Sequence, residues 1–239
     1  MGPRLLALDT STDRLAVGLI VADRQWTASE PGGSLASARL IAVALELLAG
    51  AALPVRDLDA IAFGAGPGAF TGLRSTCAVA QGLAFGAGKP VLAIDSLMIV
   101  AEDAMSQLGA THDELWVAMD ARIDEIYAAC YRHDASGWRT LCEPALYTVV
   151  ALAARWNVAP PRVVAGSAIE TFEGRLPLGD ARLVPHERNR ASALLVLTRC
   201  QWDAGATMDA AQALPVYLRD KVALTSAERT AARGAGAAS

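Results

Sequence analysis

Asp9-Thr10-Ser11-Thr12 follows an apolar run directly, and an aspartate at a strand end beside hydroxyls is a set of groups that can organise Mg²⁺ against a phosphate. Such a loop also needs a glycine, so that backbone amides can approach the phosphate oxygens. Ser11 stands where that glycine would be. Two readings remain, a degenerate phosphate loop and a polar hairpin turn, and the serine favours the turn. A nucleotide would need a second glycine-rich turn further on. The candidate, Asp120-Ala121-Arg122-Ile123-Asp124, has no glycine, and a later strand end offers only Gly166-Ser167. His112, His133 and His186 are isolated, with no H-E-x-x-H and no i, i+4 pair, so no metal site is expected. Gly66-Pro67-Gly68 ahead of a helix could present amides to an anion, but no Lys-Ser/Thr pair follows at phosphate-loop spacing, and it reads as a tight strand-to-helix turn. Cys77, Cys130, Cys142 and Cys200 lack C-x-x-C spacing and are expected to be reduced. Neither catalytic residues nor a cofactor is expected.

The elements that must position these groups come in a repeated order. Residues 4–9, 15–21 and 25–29 read as strands close enough to form hairpins. After the breaker at 31–33, Ser34 is a plausible N-cap for a helix to about residue 49. A strand (59–63), a helix (70–85), a strand (90–94) and a helix (96–108) follow. The order then restarts with strands at 114–120, 125–132 and 138–147, a helix at 149–156, a strand at 162–165, a short helix after Ser167 and a helix near 191–204. The expectation is an α/β fold of two tandem ribonuclease-H-like domains, each a mixed sheet flanked by helices, spanning 1–108 and 109–214. Residues 215–221 should return to the first domain, and 222–239, without an apolar period, read as a frayed tail.

Composition restricts partners. Charged residues make up 19%, below the usual ~25%, so either the core is large or apolar surface is shared with another chain. The net charge of −4 and the lack of a basic run argue against independent nucleic-acid binding. The longest apolar stretch, broken by Glu46, falls short of the ~20 residues a spanning helix requires, and the chain enters a strand at once, so a cytoplasmic protein without a leader or membrane contact is expected.

Four segments in order, LLALDTST at 5–12, GPGAFTGLR at 66–74 continuing as AQGLAF at 80–85, DARIDEIY at 120–127 and PVYLR at 215–219, resemble the TsaB (YeaZ) family. The resemblance implies an actin-like fold and a subunit that pairs with a TsaD-like catalytic paralogue and a TsaE-like ATPase. That assembly transfers a threonylcarbamoyl group to N6 of the adenosine 3′ of the anticodon in tRNAs reading A-starting codons, so tRNA would be met only through the complex. Where the paralogue is expected to carry two metal-binding histidines, this chain has Ser96 and Val100; where the family has a histidine early in the first helix, it has Ala36.

The first two helices are the expected association surface. The helix at 34–49 is apolar most of the way round, which demands cover on more than one face, and the helix at 70–85 has a face of small residues. Leu35, Arg39, Ala42, Leu45 and Glu46 of the first helix, with Gly72, Ser75, Thr76, Val79, Ala80, Gly82 and Leu83 of the second, are the expected interface residues for a homodimer and for the paralogue. The competing reading is a small actin-like ATPase or sugar/acid kinase using Asp9 and Asp120 around Mg²⁺.

Overall fold

The computed structural model describes residues 2–32, 36–109, 114–135 and 137–219. The first half contains β1 (Arg4–Asp9), β2 (Arg14–Val21), β3 (Arg24–Pro31), α1 (Ala36–Gly50), β4 (Ala60–Gly66), α2 (Phe70–Ala87), β5 (Val91–Asp95) and α3 (Ser96–Leu108). The second contains β6 (Glu114–Asp120), β7 (Glu125–Asp134), β8 (Gly137–Thr148), α4 (Val149–Val158), β9 (Val163–Ala165), α5 (Ala168–Thr171), β10 (Arg182–Val184) and α6 (Arg190–Asp203). The sheet orders are β3-β2-β1-β4-β5 and β8-β7-β6-β9-β10, one topology used twice. In each, a meander of three antiparallel strands is extended by two parallel ones. This is the expected two-domain α/β fold.

Burial explains the pattern along the strands. β1 and β4 sit inside the first sheet; β4 and the middle of β1, residues 5–8, are apolar and buried, since both faces are covered. β3 is an edge strand that alternates exposed with half-buried residues and ends at Pro31, whose missing N–H costs nothing on an unpaired side. Strand β4 runs past the expected end at residue 63 to Gly66, and β10, three residues long and polar at its start, carries no periodic signal. The proposed N-cap Ser34, the middle of the domain junction at 110–113 and the tail from residue 222 lie outside the described residues.

Helices α1 and α2 cover one face of the first sheet through Leu40, Val43, Leu48, Cys77, Ala80 and Ala84. The opposite face is covered from the second half, by Ala193, Leu194, Leu195 and Leu197 of α6 against Leu5, Ala7 and Ile20. Reciprocally, Leu97, Val100, Ala101, Ala104 and Met105 of α3 pack on Leu115, Val117, Ala129 and Tyr131 of the second sheet, whose far face takes α4 and α5. Each half thus lends a helix to its neighbour. Among the described residues, no helix is long and apolar enough to cross a membrane.

Candidate functional site

Between the halves lies a cleft of about 820 Å³, lined by Ser11, Thr12, Gly68, Asp120, Ser167 and His186 among others. The topology brings the two sequence-predicted turns to this one place, because both follow the central strand of their sheet. Asp9, however, is fully buried behind the cleft wall. Its Oδ1 accepts hydrogen bonds from the Ser11 amide (3.0 Å) and Ser11 Oγ (3.0 Å), and its Oδ2 one from Ser96 Oγ (3.3 Å). Gly64 explains how the carboxylate fits, since a Cβ there would lie 1.7 Å from Asp9 Oδ2.

The charge on Asp9 is met by an arginine. Arg190, at the start of α6, donates from Nε to Asp9 Oδ1 at 2.9 Å, and from Nη2 to Ser11 Oγ at 2.7 Å and the Ser96 carbonyl at 3.2 Å. Its Nη1 pairs with Glu187, and the Arg190 side chain is 1% exposed. Burial opposes its charge, but Asp9 and Glu187 together outweigh that and hold the guanidinium protonated, above its usual range. Burial pushes the Glu187 carboxyl up, with Arg190 opposing. A guanidinium already holds the charge that a phosphate-bound metal would need from Asp9.

The other loop groups are also engaged within the chain. Thr10 Oγ1 donates to the Gly72 carbonyl at 2.8 Å and lies 2.6 Å from Thr76 Oγ1. Thr12 Oγ1 accepts from the Arg14 amide. Across the cleft the Asp120 amide donates to Ser167 Oγ at 3.0 Å, and its carboxylate takes the Arg122 amide at 2.8 Å and the Arg122 guanidinium at 3.4 Å. Arg122, Ile123 and Asp124 all have positive φ, and Ile123 is 81% exposed at the tip. Residues 215–219, the described part of the segment at 215–221, touch both halves: the Val216 amide donates to the Ala65 carbonyl at 2.7 Å and Arg74 Nε donates to Tyr217 Oη at 3.1 Å, while Arg219 pairs with Glu125 of β7. His186 pairs with Glu170 at 3.1 Å and His133 packs at a tilt against the Trp138 ring, while His112 lies outside the described residues. Among the described residues no three His, Cys, Asp or Glu side chains converge as a metal site.

The expected interface residues divide. Arg39, Leu45, Glu46 and Gly82 are exposed; Ala42, Ser75, Val79 and Leu83 are half-buried; Leu35 lies outside the described residues. Arg39 pairs with Glu30 of β3 at 2.7 Å and with Glu46 at 3.3 Å. Three need correcting. Thr76 and Ala80 are fully buried, one bonded to Thr10 and the other in the first core, so neither side chain reaches a partner surface in this fold. Gly72 faces Thr10, whose carbonyl oxygen is 1.8 Å from where its Cβ would be, so its smallness serves internal packing. Ile41 and Phe85, 44% and 60% exposed, belong to the open apolar face and were not among the expected residues, although their apolar character on neighbouring helices was the available signal. Arg190 was missed as well, and no local spacing marks it.

Comparison with known proteins gives concordant matches. The family model described as TsaD, tRNA N6-adenosine threonylcarbamoyltransferase, matches residues 34–172. The tRNA threonylcarbamoyladenosine biosynthesis protein TsaB of Escherichia coli is 31% identical over 92% of this chain and 96% of its own length. The Haemophilus influenzae protein of that name is 40% identical, in a match that spans about half of each chain, 52% and 51%. A solved structure of YeaZ from Pseudomonas aeruginosa is 37% identical, with a TM-score of 0.81 over 90% of this chain and 100% of that one.

Proposed function

This chain belongs to the TsaB (YeaZ) family of tRNA threonylcarbamoyladenosine biosynthesis proteins, and from that membership we propose that it is a non-catalytic subunit that binds and activates a TsaD-like paralogue. The observation that carries the reading is Arg190 on Asp9: the carboxylate that would organise Mg²⁺ is neutralised from within, and the Ser11 hydroxyl beside it is committed to the same cluster. The binding surface is the face of α1 and α2 that presents Ile41, Leu45, Gly82 and Phe85. A standard interface buries ~800 Å² per partner, enough to cover such a face. Alone, the chain forms a homodimer through it, and a paralogue with equivalent helices competes for the same surface. A TsaE-like ATPase and tRNA join through the complex. Activation then follows from tighter binding to the competent state of the paralogue than to its resting state.

The cleft keeps the rival kinase reading in view, and one experiment separates them. The purified chain is assayed for phosphate release from ATP, and, mixed with the paralogue and ATPase, for threonylcarbamoyl transfer to tRNA. The expected result is no turnover alone and a transfer rate that depends on adding the chain. ATP turnover by the chain alone, lost on Asp9→Asn, would overturn the subunit reading.

A further inference from the structure

Two of the four cysteines have a geometry that neither the fold nor the proposed function uses. Cys130 in β7 and Cys142 in β8 are direct partners in the antiparallel register. Both side chains lie on the face of the second sheet that packs beneath α4: Cys130 is in the buried cluster with Trp116, Leu152 and Trp156, and Cys142 is packed against it. Directly opposed residues in antiparallel strands have Cα atoms ~4.5–5.5 Å apart, inside the ~4.4–6.8 Å range that a disulfide bridges. The register shifts on both sides of Cys130, so the sheet departs from regular pleating at this pair and has local freedom to adjust.

The two thiols are not equivalent. Cys130 is 1% exposed, whereas Cys142 is half-buried. Arg155 of α4 donates from Nη2 to Cys142 Sγ at 2.9 Å, while its guanidinium lies over the Trp116 ring, 5.1 Å from the centroid. Negative charge that develops on the Cys142 sulfur therefore has a cation beside it. Burial, and then the Glu114 carboxylate, push the Cys130 thiol well up, so this sulfur stays protonated until a reaction calls on it.

We propose that Cys130 and Cys142 form a peroxide-responsive dithiol, a modification site in which Cys142 is the attacking sulfur and Cys130 the resolving one. In the first step the Cys142 thiolate attacks hydrogen peroxide; an S–O bond forms, the O–O bond breaks, and hydroxide leaves to be protonated to water. In the second, the Cys130 sulfur attacks the Cys142 sulfenic sulfur, the S–S bond forms and water leaves, with the Cys130 proton passing to the departing oxygen, aided by the neighbouring Glu114 carboxylate. Two thiols are oxidised by two electrons, and one peroxide is reduced to two waters. The bridge ties β7 to β8 at their irregular pairing and takes from Arg155 the sulfur it binds.

The test uses the full chain carrying Cys200→Ser, which removes the exposed thiol. After brief exposure to a small excess of hydrogen peroxide, the protein is denatured, alkylated and digested with trypsin, which separates Cys130 (peptide 123–132) from Cys142 (peptide 140–155). The expected result is the loss of both alkylation sites, a mass about 2 Da lower, and a cross-link between the two peptides that dithiothreitol reverses. In Cys130→Ala the sulfenic acid on Cys142 should persist and be trapped by dimedone; in Cys142→Ser neither product should form. Full alkylation of both cysteines after peroxide, a cross-link to Cys77 instead, or equal dimedone labelling with and without Cys130 would each overturn the proposal.

Discussion

Arg190 and Asp9 are 181 positions apart in sequence, yet they meet at 2.9 Å with both side chains shut off from water. A buried pair of this kind adds little net stability over an apolar substitute, but removing one partner strands a charge, at a cost of ~3–5 kcal/mol. Arg190→Met should therefore lower the urea midpoint sharply, and Asp9→Asn likewise. The combined variant should be less destabilised than the sum of the two, because no charge is left unpaired in that pocket except Glu187. Additive losses in a double-mutant cycle would mean that the two side chains act separately.

Asp95 caps α3, accepting from the Leu97 and Met98 amides, and also accepts from Tyr131 Oη at 2.6 Å across the junction of the halves. Burial outweighs these bonds and raises its carboxyl above the usual value. Folding therefore favours the protonated form. That contribution is complete below the unfolded value of 3.8 and is lost as pH rises through the higher folded value. Asp95→Asn keeps one acceptor oxygen for the Leu97 and Met98 amides, turns the other into an amide donor towards Tyr131 Oη, and cannot ionise, so its stability relative to the unsubstituted chain should climb as pH goes from about 4 towards about 7. A pH-independent difference in denaturation midpoint would contradict this.

Gly72→Ala would place a methyl 1.8 Å from the Thr10 carbonyl oxygen, a backbone atom that cannot swing aside. Overpacking typically costs ~1–3 kcal/mol, and a clash with backbone belongs at or above the upper end. Gly82→Ala meets nothing within 4 Å and should leave the melting temperature unchanged or slightly raised, since alanine is the better helix former by ~1 kcal/mol. Thermal melts of the two variants make the comparison.

Association through α1 and α2 can be probed without touching the core. Leu45→Arg and Gly82→Arg change exposed positions and should stay folded. Each should yield a monomer by light scattering and lose co-purification with the paralogue. Ala80→Arg, by contrast, puts a charge into the first core and should fail to fold, so it cannot report on the interface. Folded Leu45 and Gly82 variants that remain dimeric would move the surface elsewhere.

Much of the fold could be read directly because its signals are local. Hairpin strands followed by alternating helices and strands appear twice in the sequence, and the termini of α3 and β6 fall where the apolar pattern and turn residues put them. The failures come from places where one local pattern serves two packings. Small residues on α2 suit a partner's backbone or the chain's own equally well, and only the approach of Thr10 assigns Gly72 and Thr76 to the interior. Asp9 could be recognised as a strand-end carboxylate, but its neutralisation could not, because Arg190 comes from the far half and nothing near it in sequence distinguishes it from a surface arginine.

The exchange of α3 and α6 between the sheets bears on how the chain must be made. While the ribosome has delivered only the first half, Leu5, Ala7 and Ile20 lack the α6 side chains that cover them, and Asp9 has no counter-charge. The finished sheet must wait for residues near the end of the described chain, so native contacts of very long sequence separation close late, which slows folding and exposes sticky intermediates. Neither half, cut free, should survive as a soluble fragment. The two should be recoverable only when co-expressed, each acting as the other's chaperone.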